Sequence, residues 1–191
     1  MNRITKTSFL TFIMAILIGS FTANAQTKSI KADQSSVTWK GYKVTGSHNG
    51  TITVKSGDLE FKDSALVGGT LVIDMTSINT TDLKGEMKAN LDGHLKSDDF
   101  FGVANFPDAV LKITKATVKD KNTVAVVADV TIKGKTNQES FIMTVSKNKA
   151  NASFKVNRTK YGVRYCSASF FDNLKDKAIN DEFDLNIELT F

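Results

Sequence analysis

Two histidines, an arginine and tyrosine three residues apart, and one cysteine carry most of the reactive chemistry in this chain of 191 residues. His48 and His94 are its only histidines, and His94 stands in "LDGHLKSDDFFGVANFP", residues 91–107, with Asp92, Asp98 and Asp99 around the single proline. Brought together, His48, His94 and Asp98 or Asp99 would offer imidazole and carboxylate ligands to a metal ion. The spacing speaks against that. There is no His-x-His or Cys-x-x-Cys pair, and a structural zinc site wants four ligands, so no metal is assigned. A triad of His94, Asp98 and a serine finds no positive support either. No G-x-S-x-G elbow is present, and no glycine-rich loop opens a helix to cradle a phosphate. No catalytic residue, enzymatic activity or cofactor is therefore assigned. The two histidines are left with a structural hydrogen bond or a polar contact to a ligand head group. Arg158 and Tyr161, in "NRTKYG", have the same head-group reading, against a salt bridge and a turn in which Gly162 supplies unusual backbone angles.

Cys166 is the only cysteine, so the fold holds no intramolecular disulfide and the core itself must stabilise it. In "RYCSAS" it reads as a small apolar residue in a half-buried segment, with an intermolecular bridge or redox chemistry as the alternative. At the start of the chain, Arg3 and Lys6, the apolar run "FLTFIMAILIG" and "ANA" before Gln26 have the layout of a secretory signal peptide cleaved after Ala25. The apolar run is too short for the roughly 20 residues that a bilayer demands of a helix. No stable membrane insertion is expected after cleavage, and the absence of a cysteine at the cleavage region argues against a lipid anchor. Without Arg3 and Lys6 the formal net charge falls from +5 to +3. The lysines are scattered along the strands, whereas a nucleic-acid surface would need a basic face with interleaved aromatics. A periplasmic or secreted protein that binds no nucleic acid is the expectation.

The elements that must position these residues are mostly strands. In "EFDLNIELTF", Phe183, Leu185, Ile187, Leu189 and Phe191 alternate with polar residues, and side chains two apart share a strand face. "TLVIDMTSI" repeats the pattern with Leu71, Ile73 and Met75. "TVAVVADVTIKGKT" does so with Val124, Val126, Ala128, Val130 and Ile132. "SFIMTVS" adds Phe141, Met143 and Val145, "ASFKVN" adds Phe154 and Val156, and the earlier runs add Trp39, Ile52, Val54, Leu59 and Phe61. Polar turns between them predict antiparallel pairing. Eight or nine strands in one all-β domain over residues 26–191 would form a sandwich or close into a barrel, and alternation alone does not choose. Residues 80–105 break the pattern. Leu83, Met87, Leu91 and Leu95 recur every four residues, a helical stripe that Gly85 and Gly93 weaken, so one or two short helical pieces are predicted. Ser97 is a candidate helix cap.

Read in order, "HNGTITVKSGDLEF", "IDMTSINT", "DGHLKSDDFFGVANFPDAVLKI", "DVTIKGKT" and "VNRTKYGVRY" resemble the motifs of the YceI family of exported bacterial proteins, also called polyisoprenoid-binding proteins. His48 and Gly50, Asp74 to Thr80, Asp92 to Phe101, Pro107, Thr131 to Gly134, and Arg158 to Gly162 carry the likeness, of which "HLKSDDFF" is the most specific block. One departure is Lys96, where the family often has an arginine able to make a bidentate contact. The resemblance implies an extended, antiparallel, eight-stranded lipocalin-like barrel with an elongated apolar cavity. It implies a long-chain amphiphile as ligand: an isoprenoid, a quinone tail or a fatty-acid derivative.

On that implication the candidate cavity wall is Trp39, Ile52, Phe61, Leu71, Ile73, Phe100, Phe101, Val126, Phe141, Phe154, Phe170 and Leu185. The candidates for the ligand head group are His48, His94, Arg158 and Tyr161. For any single phenylalanine, ordinary core packing is the competing reading. Phe100, Phe101 and Phe106 would pack the helical insert on the barrel mouth as a lid or plug, with Asp92, Asp98 and Asp99 facing water. The four N-x-[ST] sites at Asn49, Asn79, Asn151 and Asn157 are expected to stay unmodified. The function expected is non-covalent carriage of a long apolar molecule. The rivals are a secreted metal protein or hydrolase built on His48 and His94, and a stress-related structural protein whose barrel is filled by its own side chains. Pairing into a homodimer is left open.

Overall fold

Strand β6 shows how the alternation is used: Val124, Val126, Ala128, Val130 and Ile132 are all buried, and every residue between them is half-buried at the outer surface. The computed structural model describes residues 25–191, so the expected signal segment lies, Ala25 apart, outside the described residues. The nine strands are β1 (Ala25–Ser29), β2 (Ser36–Lys43), β3 (Gly46–Lys62), β4 (Ala65–Thr80), β5 (Asp108–Val118), β6 (Thr123–Ile132), β7 (Lys135–Val145), β8 (Lys149–Asn157) and β9 (Glu182–Thr190). One α-helix, α1 (Gly85–Lys96), interrupts them between β4 and β5.

From β2 onward each strand pairs antiparallel with the next, and β9 returns to β2 through Val37↔Ile187. The result is a closed eight-stranded barrel. The ninth strand, β1, is an extension. At 17 residues β3 is long enough to pair with β2 over its first part, as in Trp39↔Gly50, and with β1 over its last, as in Gln26↔Phe61. Register shifts between β3 and β4 after Thr51, Val54 and Glu60 mark the bulges that let two such long strands coil around the core. The β3–β4 turn places Asp63 and Ser64, and the β6–β7 turn Lys133 and Gly134, in the left-handed region, the twist that two-residue hairpin turns require.

The wall is weakest between β7 and β8. Their register holds only from Met143↔Ala152 to Val145↔Ala150, after which the strands part. The chain leaving β8 folds back into the gap, where Tyr161 and Val163 are wholly buried. Tyr161 Oη donates to Glu139 Oε1 at 3.1 Å, and Asn137 Nδ2 donates to the Lys160 carbonyl at 3.2 Å.

Four connections gather at one end of the barrel: the β2–β3 turn, the insert 81–107, the β6–β7 turn and the long segment 158–181. The insert forms one continuous helix rather than two pieces, with Gly93 inside it. Its apolar stripe is only partly used. Leu95 is buried and Leu91 is half-buried against the core, whereas Met87 faces solvent. Ser97 ends the helix instead of starting one: its N–H bonds the carbonyls of Gly93 and His94, and its hydroxyl donates to His94 O at 2.7 Å. Asp92 does not face water as expected. Its carboxylate accepts the Thr80 N–H at 2.8 Å and pairs with Lys88, which also donates to Asn79 Oδ1 at 2.7 Å. This latch ties the helix to the last two residues of β4.

Candidate functional site

Along its axis the barrel is filled for half its length and hollow for the rest. Toward the end away from α1, Leu59, Phe61, Leu66, Val124, Met143 and Phe191 close up the interior, and Phe61 and Phe191 meet with ring centroids 5.4 Å apart. A shallower hollow beyond them, floored by Phe61, Leu66 and Val124, is rimmed by Lys28, Lys121 and Lys147. Toward the α1 end lies a cavity of about 140 Å³. Its wall is Val37 and Trp39 of β2, Ile52 of β3, Leu71, Ile73, Met75 and Ile78 of β4, Leu111 of β5, Val130 and Ile132 of β6, Phe154 of β8, and Leu185 and Ile187 of β9. Leu95, Phe100 and Phe101 from the insert roof it, with Ile179 and Phe183 opposite.

Two packing details shape this chamber. The Trp39 indole lies across Gly50: a Cβ there would come within 2.6 Å of the ring and 2.1 Å of the Asn79 carbonyl oxygen. The glycine is what allows the largest wall residue to lie flat, and the indole N–H donates to Thr51 O at 3.3 Å. At the inner end, Phe154 stacks on Phe141 with centroids 4.3 Å apart and planes 9° from parallel. Phe154 faces the cavity while Phe141 belongs to the filled half, so the stack is the boundary between them. At the outer end the rings of Phe101 and Phe183 meet edge to face at 6.4 Å.

Of the twelve wall candidates, Trp39, Ile52, Leu71, Ile73, Phe100, Phe101, Phe154 and Leu185 therefore line the cavity. Phe61, Val126 and Phe141 lie in the filled half, because alternation gives the face of a strand that looks inward but not the depth at which it looks. Phe170 is corrected outright. It stands on the outer surface beneath Arg164, whose guanidinium carbon is 4.4 Å from its ring centroid. Met75, Ile78, Leu95, Leu111 and Phe183, which sequence reasoning did not single out for the wall, belong to it.

The polar candidates turn out to hold the structure. Arg158 borders the cavity but is 2% exposed, and all five of its N–H groups are committed. Nε donates to Asn180 O at 2.9 Å, and Nη1 to Val163 O at 3.0 Å and Tyr165 O at 2.9 Å. Nη2 donates to Ile179 O at 2.9 Å and to Asp181 Oδ1 at 3.5 Å. A guanidinium has five donors, so none is left for a ligand. Burial pulls its pKa below the ordinary arginine value, with Asp181 acting against that. Tyr161 is off the cavity wall, bonded to Glu139, and burial followed by the Glu139 charge raises its phenol pKa. His48 stands half-buried at the mouth end of β3, opposite Gly41 and on the same strand face as Gly50 and Ile52, but off the cavity wall, with Nδ1 3.0 Å from Asp82 Oδ2. That contact, together with Thr81 N–H to Asn49 O at 3.0 Å, fixes where the insert leaves the barrel. His94 is packed edge to face against Tyr165 at 4.4 Å and Phe100 at 5.6 Å, and its buried Nε2 has no hydrogen-bond partner. Among the described residues no three metal-ligating side chains come together. The arrangement can do one thing well: take up apolar matter, since burial in such a chamber is worth about 25 cal/mol per Å².

A model of the YceI-like domain matches residues 28–191. A UPF0312 protein of Staphylococcus aureus (strain USA300) is 37% identical over 137 residues, covering 66% of this chain and 72% of its own length. BcnA of Burkholderia cenocepacia has the same fold with a TM-score of 0.68 at 18% identity, covering 85% of this chain and 99% of its own. A polyisoprenoid binding domain from Saccharophagus degradans, described as implicated in plant cell wall breakdown, superposes with a TM-score of 0.59 at 16% identity, over 84% and 95% of the two chains.

Proposed function

The chain belongs to the YceI-like family, and on that footing we propose that it is an exported binding protein that carries a long-chain amphiphile, with the tail held in the barrel and no reaction performed. The observation that carries the proposal is the chamber: a cavity walled almost wholly by aliphatic and aromatic side chains, roofed by an insert rather than by the barrel itself. An apolar cavity of about 150 Å³ stays dry and takes up a benzene-sized ligand, so the resting chamber accommodates one short apolar segment. A longer prenyl, quinone or acyl tail enters by parting Phe101 from Phe183 and extends out past them. The binding of a polyisoprenoid by the Saccharophagus degradans domain supports an isoprenoid as the first class to try. With Arg158 fully occupied and the wall apolar, recognition rests on the tail, and the head group stays at the mouth in water.

Native mass spectrometry on protein taken from its own cells, followed by solvent extraction, tests this. A stoichiometric prenyl or acyl species identifies the cargo. An apo mass that persists after incubation with isoprenoids, quinones and fatty acids overturns the proposal and favours a barrel that serves as structure. The single tryptophan lines the cavity, so its emission reports entry of a quinone or a brominated acyl chain without labelling.

A further inference from the structure

We propose that the exported chain begins at Gln26 and that Gln26 is closed there to pyroglutamate, the neutral five-membered lactam, so that the mature protein carries no free α-amino group. The inference rests on the export reading above, with cleavage after Ala25, and adds a covalent modification to it. Gln34 and Gln138 cannot take the same path, because their backbone nitrogens are held in peptide bonds.

Cleavage at that point leaves no loose tail. Gln26 is already a rung of β1, opposite Phe61 of β3. The Ile30 N–H donates to Gly57 O at 2.8 Å, and hydrogen-bonded and non-hydrogen-bonded pairs alternate along an antiparallel ladder. Lys28 with Leu59 and Gln26 with Phe61 are therefore hydrogen-bonded pairs, and the Gln26 nitrogen faces the Phe61 carbonyl. Its side chain shares a strand face with Lys28 and Ile30 and lies exposed at the edge of the hollow away from α1. Two side chains of β1 form hydrogen bonds, Lys28 to Lys147 O at 3.2 Å and Ser29 to Asp58 Oδ1 at 2.7 Å. The Gln26 carboxamide has no such partner among the described residues, and is free to fold back on its own nitrogen.

The step is local and balanced. The amine of a free chain end has an ordinary pKa of about 8, so part of it is unprotonated at neutral pH. Its nitrogen attacks Cδ of Gln26 and an N–Cδ bond forms. The Cδ–Nε2 bond breaks, and Nε2 leaves as ammonia with the proton that the amine gives up. No oxidant, reductant or co-substrate enters, and both reacting groups belong to one residue, so they need not be brought together. The lactam nitrogen keeps one N–H, the single donor that the Phe61 carbonyl requires, while the terminal charge is gone. What this protects is a weak edge. β1 is five residues long and pairs with β3 alone. Even so, its Lys28 stands over the rings of Phe61 and Phe191, 4.9 Å from each centroid, and covers the filled end of the barrel. A free α-amine is what an aminopeptidase needs to shorten that strand, and the lactam removes it.

The test is an intact mass, with fragmentation of the N-terminal peptide, on protein taken fresh from its own cells. The expected mass is that of residues 26–191 less one ammonia, with the loss located on Gln26. A chain that begins at Gln26 with its full mass overturns cyclisation and leaves export and its cleavage site standing. A chain that begins at another residue overturns the inference but not export, and a retained leader overturns both. None of these outcomes depends on the cargo, which solvent extraction reads separately. A purified aminopeptidase then tests the protective role on the folded protein. Gln26→Asn keeps an amide side chain, but its closure would demand a strained four-membered ring, so its amine stays free. The parent should hold its mass while the variant loses residues from β1. Shortening of both at one rate, or of neither, overturns the protective role and leaves β1 guarded, or not, by its pairing alone.

Discussion

At the scale of single residues, the side chains that looked most able to touch a ligand are the ones most fully occupied by the protein. Arg158 gathers four backbone carbonyls and Asp181 around one guanidinium, and in doing so pins 163–165 and 179–181 beside the mouth. Removing it leaves those acceptors buried and Asp181 without its partner, so Arg158→Ala should cost about 3–5 kcal/mol in urea unfolding. Arg158→Lys should recover only part of this, because an ammonium has three donors on a point rather than five in a planar fork. A variant as stable as the parent would return Arg158 to the list of head-group contacts. Gly50 makes the complementary point, since its missing side chain is what matters. Gly50→Ala should displace the indole from the wall and shift Trp39 emission, because its Cβ cannot coexist with Asn79 O at 2.1 Å. The motif positions His48, Gly50 and Arg158 were legible from the sequence as special. Their roles were not, since a guanidinium that binds a ligand and one that binds backbone look alike until the carbonyls around it are placed.

At the scale of elements, the strands were readable because one buried face imposes a period of two, and β6 and β9 follow it residue by residue. The insert was readable as helical from its four-residue spacing, but its stripe faces the core only at Leu95 and in part at Leu91. What holds α1 down is polar. Burial of Asp92 pushes its pKa up, but hydrogen bonds from Lys88 and Thr80 outweigh that and leave it below the ordinary aspartate value. A carboxyl with a depressed folded pKa contributes stability that is complete above its unfolded pKa, about 3.9, and that is lost as pH falls through the folded value. Acid below about pH 4 should therefore loosen α1. Amide hydrogen exchange across Gly85–Lys96 should rise there ahead of exchange in β5 and β6. Asp92→Asn should weaken the latch by about 1–3 kcal/mol at neutral pH and flatten the acid dependence. Exchange in α1 that is insensitive to both would mean that packing of Leu95 and Phe100, not the latch, seats the helix.

At the scale of the whole molecule, the barrel is divided by the Phe141–Phe154 stack into a filled half and a hollow one, and that division limits how much of a tail can be buried. Each methylene moved from water into the chamber contributes about 0.8 kcal/mol, close to a fourfold gain in affinity. The gain lasts only while there is wall to cover. Across a series of prenyl or acyl ligands of increasing length, affinity read from Trp39 emission should climb steeply and then level once the tail reaches the stack, the excess length lying outside the Phe101–Phe183 gate. Phe154→Ala opens the boundary from the hollow side. Because one face of that ring already borders empty space, the loss of stability should fall at or below the low end of the roughly 3–5 kcal/mol typical of Phe→Ala, and the break in the series should move to longer chains. Phe61→Ala, made in the filled half against Phe191, should cost as much or more and leave the break where it was. If the break moves with both, the filled half rearranges around ligand and the whole barrel is the binding site. If it moves with neither, chain length is set at the gate, and the barrel beyond it is scaffold.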